Sequence, residues 1–125
     1  MNIQLQEMLS AYIECLLWCS TDDDDKPLDF YYDESYLDES TRATMLKDCT
    51  DFISTNAELI EKAQEIRRYT YSWAQCGHDF CLTRNGHGAG FWDRGLGEIG
   101  QKLTKAAKFY GEFNLYFGDD GKIHC

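Results

Sequence analysis

Proline is nearly absent. Pro27 stands alone in 125 residues, so little interrupts helix elsewhere. No apolar run reaches the roughly 18–20 residues that span a bilayer, which excludes a membrane-crossing helix. Lys and Arg number 12 against 22 Asp and Glu, a formal net charge of −10. The stretch MNIQLQEMLSAYIECLL contains no Lys or Arg and is broken by Gln4, Gln6, Glu7 and Glu14. It does not read as a secretory signal, and a cytoplasmic location is expected. No Cys-x-x-Cys pair occurs among the six cysteines. Reduced thiols packed in a core are the expectation, with Cys15 and Cys19 on one helical face. Paired zinc spacing is missing, so neither a metal nor another cofactor is expected.

The shortage of cations is local. Residues 1–69 carry the whole net charge, and residues 70–125 are balanced. Between Asp22 and Glu39 nine acids face the single Lys26. A phosphate backbone is held by clustered Lys and Arg, so direct nucleic-acid binding is not expected. A basic surface on a protein partner suits this segment, including one built to hold nucleic acid. The interface expected for it is Asp22, Asp23, Asp24, Asp25, Asp29, Tyr31, Tyr32, Asp33 and Glu34. A loop of solvated charge that serves solubility is the simpler alternative.

Hydrophobic periodicity predicts a mainly α single compact α+β domain of about five helices with a small C-terminal β-hairpin. Leu5, Met8, Leu9, Tyr12, Leu16 and Cys19 form one stripe, which sets a first helix over about 2–19. An acidic loop follows over about 20–37. Asp38 is a suitable N-cap for a second helix to about Ser54. Thr55 and Glu58 have capping-box spacing, which starts a third helix burying Leu59, Ala63 and Ile66. Ser72 and Gln75 repeat that spacing ahead of a fourth helix, about 73–83, with Cys76, Gly77, Phe80 and Cys81 inward. A glycine-rich loop at 85–90 leads to a fifth helix over about 94–110, stopped by Gly111. Alternating Phe113, Leu115 and Phe117, with a turn at Gly118-Asp119-Asp120-Gly121, make residues 112–125 a hairpin.

Chemistry-bearing residues concentrate at 77–95, Gly-His-Asp-Phe-Cys-Leu-Thr-Arg-Asn-Gly-His-Gly-Ala-Gly-Phe-Trp-Asp-Arg-Gly. The catalytic candidates are His78, Asp79, His87 and Asp93. The anion- or ligand-binding candidates are Arg84, His87 and Arg94. An HD-type metal site meets the difficulty that His78 and Asp79 diverge by about 100° on a helix. An acid–base pair of His87 with Asp93 is a second option. Backbone N–H groups of 86–90 with the two arginines make an anion site the third. The glycine spacing matches no nucleotide-binding pattern. A purely architectural role stays open beside these. Asp79 then pairs with Arg84 or Arg94, Asp93 caps the fifth helix, and the glycines serve a tight turn. If Asp93 and the arginines make buried charge-assisted bonds, Asp93→Ala should cost about 2–4 kcal/mol.

The run GHDF-x-LTRNGHGAGFWDRG resembles the central motif of a family of small bacteriophage-encoded proteins. The DDGKI turn and a first helix ending before an acidic loop are similar too, so the resemblance spans most of the chain. The family often carries Trp where this chain has Cys81. The resemblance implies phage origin and a shared fold, and no reaction. Together with the charge, it leads to the expectation of a non-enzymatic phage accessory or effector protein in the host cytosol. Such a protein would bind a host protein through its acidic surface, in the sharpest form as a DNA-mimicking inhibitor of a defence or nucleic-acid enzyme. The alternative is a small hydrolase-like or ligand-binding protein using the His/Asp/Arg motif at 78–94.

Overall fold

The first apolar stripe forms a helix, α1 (Ile3–Cys19), in the computed structural model, which describes residues 2–68 and 70–125. The Asn2 side chain caps it, accepting from Leu5 N–H at 2.7 Å. Its buried face is broader than the stripe, taking in Ala11, Ile13, Cys15 and Leu17 beside Met8, Tyr12 and Leu16. Such a wide face needs more than one neighbour.

The acidic segment is ordered by its own carboxylates. Asp22 accepts from the N–H groups of Asp24 and Lys26 at 2.8 and 3.0 Å. Two 3-10 turns follow, Leu28–Phe30 and Glu34–Tyr36, and Asp33 caps the second by accepting from Ser35 N–H. Leu28 and Leu37 are the buried anchors between which the acids stand outward.

The two middle helices expected from the sequence are one, α2 (Glu39–Ile66), capped by Asp38 and kinked at Asn56. The Asn56 side-chain amide donates to the Phe52 carbonyl at 3.1 Å. That carbonyl therefore keeps a donor at the kink, and the helix bends without ending. Ser72 caps α3 (Trp73–Arg84), accepting from Gln75 N–H as the spacing predicts. α3 is central: Cys76, Gly77, Phe80 and Cys81 are buried as expected, and so are Asp79, Thr83 and Arg84. It packs on α1 more extensively than any other two elements pack together. Phe80 stacks on Tyr12 of α1 and Phe52 of α2, with centroids 5.2 and 4.4 Å apart.

The last helix, α4 (Glu98–Lys108), begins later than expected at 94. Gly95 and Gly97 hold positive φ, which breaks helical geometry ahead of Glu98, and a 3-10 turn at Phe91–Asp93 precedes this break. Gly111, with φ of 73°, ends the segment as predicted. The hairpin is shorter than its pattern. Only β1 (Tyr116–Phe117) and β2 (Ile123–His124) pair, antiparallel, with Phe117 opposite Ile123. Four helices and this hairpin are the regular elements among the described residues, and their apolar side chains join one buried cluster.

Candidate functional site

The motif at 77–95 folds inward. Asp79 is fully buried, and Tyr71 Oη, Gln75 Nε2 and Arg94 Nε donate to its carboxylate at 3.0, 3.1 and 2.9 Å. Burial pushes its pKa up, and the Arg94 guanidinium and the hydrogen bonds oppose that shift. The Asp79–Arg94 pairing is one of the two that the sequence allowed. Arg84 pairs elsewhere. Its NH1 donates to Asp48 and to Tyr12 Oη, both at 2.8 Å, its Nε to the Gly111 carbonyl and its NH2 to that of Tyr110. Its guanidinium lies about 5 Å from the rings of Phe80, Tyr110 and Phe113. Both arginines are committed to carboxylates of the fold, so the expected anion site has no free guanidinium pair.

The remaining candidates do not converge. His78 lines a surface hollow with Glu14, Cys15, Trp18 and Asp29, whereas Asp79 is fully buried. His87 sits beside Thr83, Gly86 and Trp92, and among the described residues no bond joins it to Asp93. Asp93 does not cap α4. It is 41% exposed in its side chain and accepts from Gly90 N–H at 3.1 Å, a bond that closes the glycine loop. Asp93→Ala is therefore expected to cost about 1 kcal/mol, as for an exposed cap, and not the larger sum for a buried ion pair. Thermal melts of the two proteins check this. Fully buried Phe91 anchors the loop, while Trp92 stays 42% exposed.

Two other arrangements occupy the surface around α1. The first is a groove beside the acidic segment. Ile13 and Leu17 form its floor, and Glu14, Asp29, Asp33 and Glu34 stand around it. Its volume is about 460 Å³. Phe30 and Tyr31 are 65% and 56% exposed nearby. Basic side chains on the segment's own carboxylates and rings are few among the described residues: Arg42, 3.8 Å from Glu34, Lys26, held over Phe30 and Tyr31, and His124, 3.8 Å from Asp38. Of the expected interface residues, Tyr32 is half-buried and stacks on Phe117 at 4.4 Å, and Asp22 is half-buried in its turn. These two shape the surface, and Asp23, Asp24, Asp25, Asp29, Tyr31, Asp33 and Glu34 form its exposed part.

The second arrangement escaped the sequence. Cys15 and Cys19 on α1 meet Cys81 on α3, and the three sulfurs lie within 4.8 Å of one another. Cys19 Sγ is 3.8 Å from Cys81 Sγ, and Cys15 Sγ donates to the His78 carbonyl at 3.8 Å. Hydrogen bonds from Cys15, Cys81 and His87 hold the Cys19 thiol well below the usual range, while the bond to Cys19 and burial push Cys15 up. The available signal was the four-residue spacing of Cys15 and Cys19 together with Cys81 and His87 flanking a glycine stop. Only the tertiary contact of the helices joins the two halves.

No family model matches the chain, and neither the curated proteins nor the solved structures include a match. Among the described residues no helix is long and apolar enough to cross a membrane.

Proposed function

We propose that this chain is a non-enzymatic binding protein that takes a basic, partly apolar segment of a partner protein on its acidic and aromatic face. The observation that carries this reading is the groove over Ile13 and Leu17, ringed by Glu14, Asp29, Asp33 and Glu34. Apolar floor and carboxylate rim suit the stem and head of Lys and Arg side chains together. Exposed Phe30 and Tyr31 supply the aromatic area that anchors interfaces. The motif at 78–94 gives no support to the hydrolase-like alternative, since Asp79, Arg84 and Arg94 are held in ion pairs of the fold and His78, His87 and Asp93 do not converge. In its finer form the proposal is a phage accessory protein acting in the host cytosol on a host protein, with a DNA-mimicking inhibitor of a nucleic-acid enzyme as the sharpest case. The charge of −10 and the motif's resemblance to phage proteins support that form.

Affinity capture from host lysate identifies the partner, and kinetics on that partner test the surface. Steering by charge requires that association slow with salt, because the Debye length falls from about 30 Å at 0.01 M to about 8 Å at 0.15 M. Asp22→Asn keeps the oxygen that organises the turn, and Asp23, Asp24 and Asp25 are changed to Ser in the same variant. Association is expected to slow at low salt with little change in dissociation. Phe30→Ala and Tyr31→Ala are expected to raise the dissociation rate instead. The DNA-mimic form adds competition by duplex DNA for the captured partner. An association rate indifferent to salt and to the aspartate changes would remove the electrostatic reading.

A further inference from the structure

We propose that Cys15, Cys19, Cys81 and His87 bind a zinc ion in a four-coordinate site that joins the end of α1 to the end of α3. The inference is independent of the partner-binding surface.

The geometry begins with helix periodicity. Residues four apart lie one above the other on a helix face, so Cys15 and Cys19 present two sulfurs to the same side of α1. α3 runs against that side and brings Cys81, and the three sulfurs gather within 4.8 Å of one another. Zinc bonds thiolate sulfur at about 2.3 Å in a tetrahedron, which separates neighbouring sulfurs by about 3.8 Å. Cys19 and Cys81 already stand 3.8 Å apart.

The fourth ligand is brought in by the way α3 ends. His87 N–H donates to the Leu82 carbonyl at 3.0 Å and Gly86 N–H to that of Thr83 at 3.2 Å. Gly86 has φ of +70°, and together these make a Schellman stop. The stop turns the chain sharply after Asn85 and folds His87 back toward the helix. There the imidazole neighbours the Cys19 thiol, and it completes the set by turning further on binding, since Cys15, Cys19 and Cys81 alone already stand within 4.8 Å of one another.

The donor set selects the ion. Three thiolates and an imidazole suit zinc, whereas magnesium and calcium take oxygen. Four protein ligands leave no open position, which marks a structural site and not a catalytic one. On binding, each sulfur still carrying a proton releases it to solvent as the metal bond forms. Cys15 and Cys81 are buried, but Cys19 and His87 are half-buried, which gives the ion an entry side. Cys81 is remote from the pair along the chain and reaches it only through tertiary contact, so ligand spacing in the sequence does not indicate the metal.

The test uses the full chain, purified under reduction without chelator and then stripped of metal. Titration with zinc against a chromophoric chelator is expected to give one equivalent per chain with a Kd of about 1 nM or tighter. Cobalt should produce the ligand-field and sulfur charge-transfer bands of a tetrahedral thiolate complex. Cys19→Ser and Cys81→Ser are each expected to abolish stoichiometric binding. His87→Asn should weaken it by about 100-fold or more, beyond the loss seen for outer partners of a ligand. Cys125→Ser, exposed and outside the cluster, should bind as the parent does. Should Cys81→Ser fail to fold, Cys19→Ser and the cobalt spectrum of the parent decide. Wild-type binding weaker than about 1 μM, an octahedral cobalt spectrum, or binding unchanged in Cys19→Ser would overturn the proposal. So would recovery of a metal-free chain, two hydrogens lighter, with Cys19 and Cys81 joined as a disulfide under reducing conditions.

Discussion

Arg84→Leu is expected to lower the free energy of unfolding by about 3–5 kcal/mol, the range for breaking a buried ion pair. That is a large part of the 5–15 kcal/mol that holds an ordinary domain together. The guanidinium is buried, and it ties α3 to three other parts of the chain. Tyr12 lies on α1, Asp48 on α2, and the Tyr110 and Gly111 carbonyls follow α4. Leucine would strand the buried Tyr12 hydroxyl, at a cost of about 1–3 kcal/mol, and leave Asp48 without its cation, while the carbonyls of half-buried Tyr110 and exposed Gly111 can turn to solvent. Arg84→Lys should rescue little, because one ammonium cannot reproduce a planar fork that engages Nε and both terminal nitrogens. Asp48→Asn should cost less, since Tyr12 and the carbonyls still accept and Asp48 is partly open to solvent. Urea titrations decide the matter: the midpoint should fall at unchanged slope. A loss under about 1 kcal/mol for Arg84→Leu would mean that Arg84 is not the tie described.

Gly77→Ala is expected to destabilise the fold by about 2 kcal/mol net, the direction opposite to its helix propensity. Alanine inside a helix gains about 1 kcal/mol over glycine. Here its Cβ would stand 2.1 Å from the Met8 carbonyl oxygen and 3.1 Å from Tyr12 N. Both are backbone atoms of α1, so no side chain can swing aside. The helices must part by about 1 Å, and the dispersion contacts along their seam weaken together. Overpacking of this kind reaches about 3 kcal/mol, which leaves the net figure above. Gly88→Ala is the control, since nothing lies within 4 Å of its Cβ position. A melting temperature lower by about 8 °C for Gly77→Ala, with Gly88→Ala near the parent, is the expected pair of results. Equal melting temperatures for Gly77→Ala and the parent would show that the helices do not touch there.

The parts of this fold that local chemistry governs could be read before the structure. Ser72 with Gln75 marked the start of α3, Gly111 the stop after α4, and Asp38 the start of α2. The same local rule misread Thr55 and Glu58, because a capping-box spacing also occurs inside a continuous helix whose bend Asn56 makes. It misplaced the start of α4, because the positive φ of Gly95 and Gly97 is not written in an apolar stripe. At the motif, the pairing of Asp79 with a nearby arginine was legible, since both belong to one short stretch. Asp48 as the partner of Arg84 was not, and neither was Cys81 beside Cys15 and Cys19. Those contacts depend on which helices become neighbours, which no spacing along the chain records.

That α1 takes α3 as its main neighbour, across the whole of α2, has a consequence during synthesis. Cys15 reaches the His78 carbonyl over 63 residues and Tyr12 reaches Arg84 over 72. Leu115 N–H bonds Ser20 over 95 residues, and Asp38 N–H bonds the Ile123 carbonyl. A chain emerging at about 5–20 residues per second therefore carries the apolar face of α1 unburied for several seconds. Closing such long loops is an entropic cost that the later contacts must repay. Prematurely terminated products that stop before residue 84 should be unable to bury Met8, Tyr12 and Leu16. They are predicted substrates for chaperones and proteases, so the cell's quality control would clear incomplete copies while the finished chain survives.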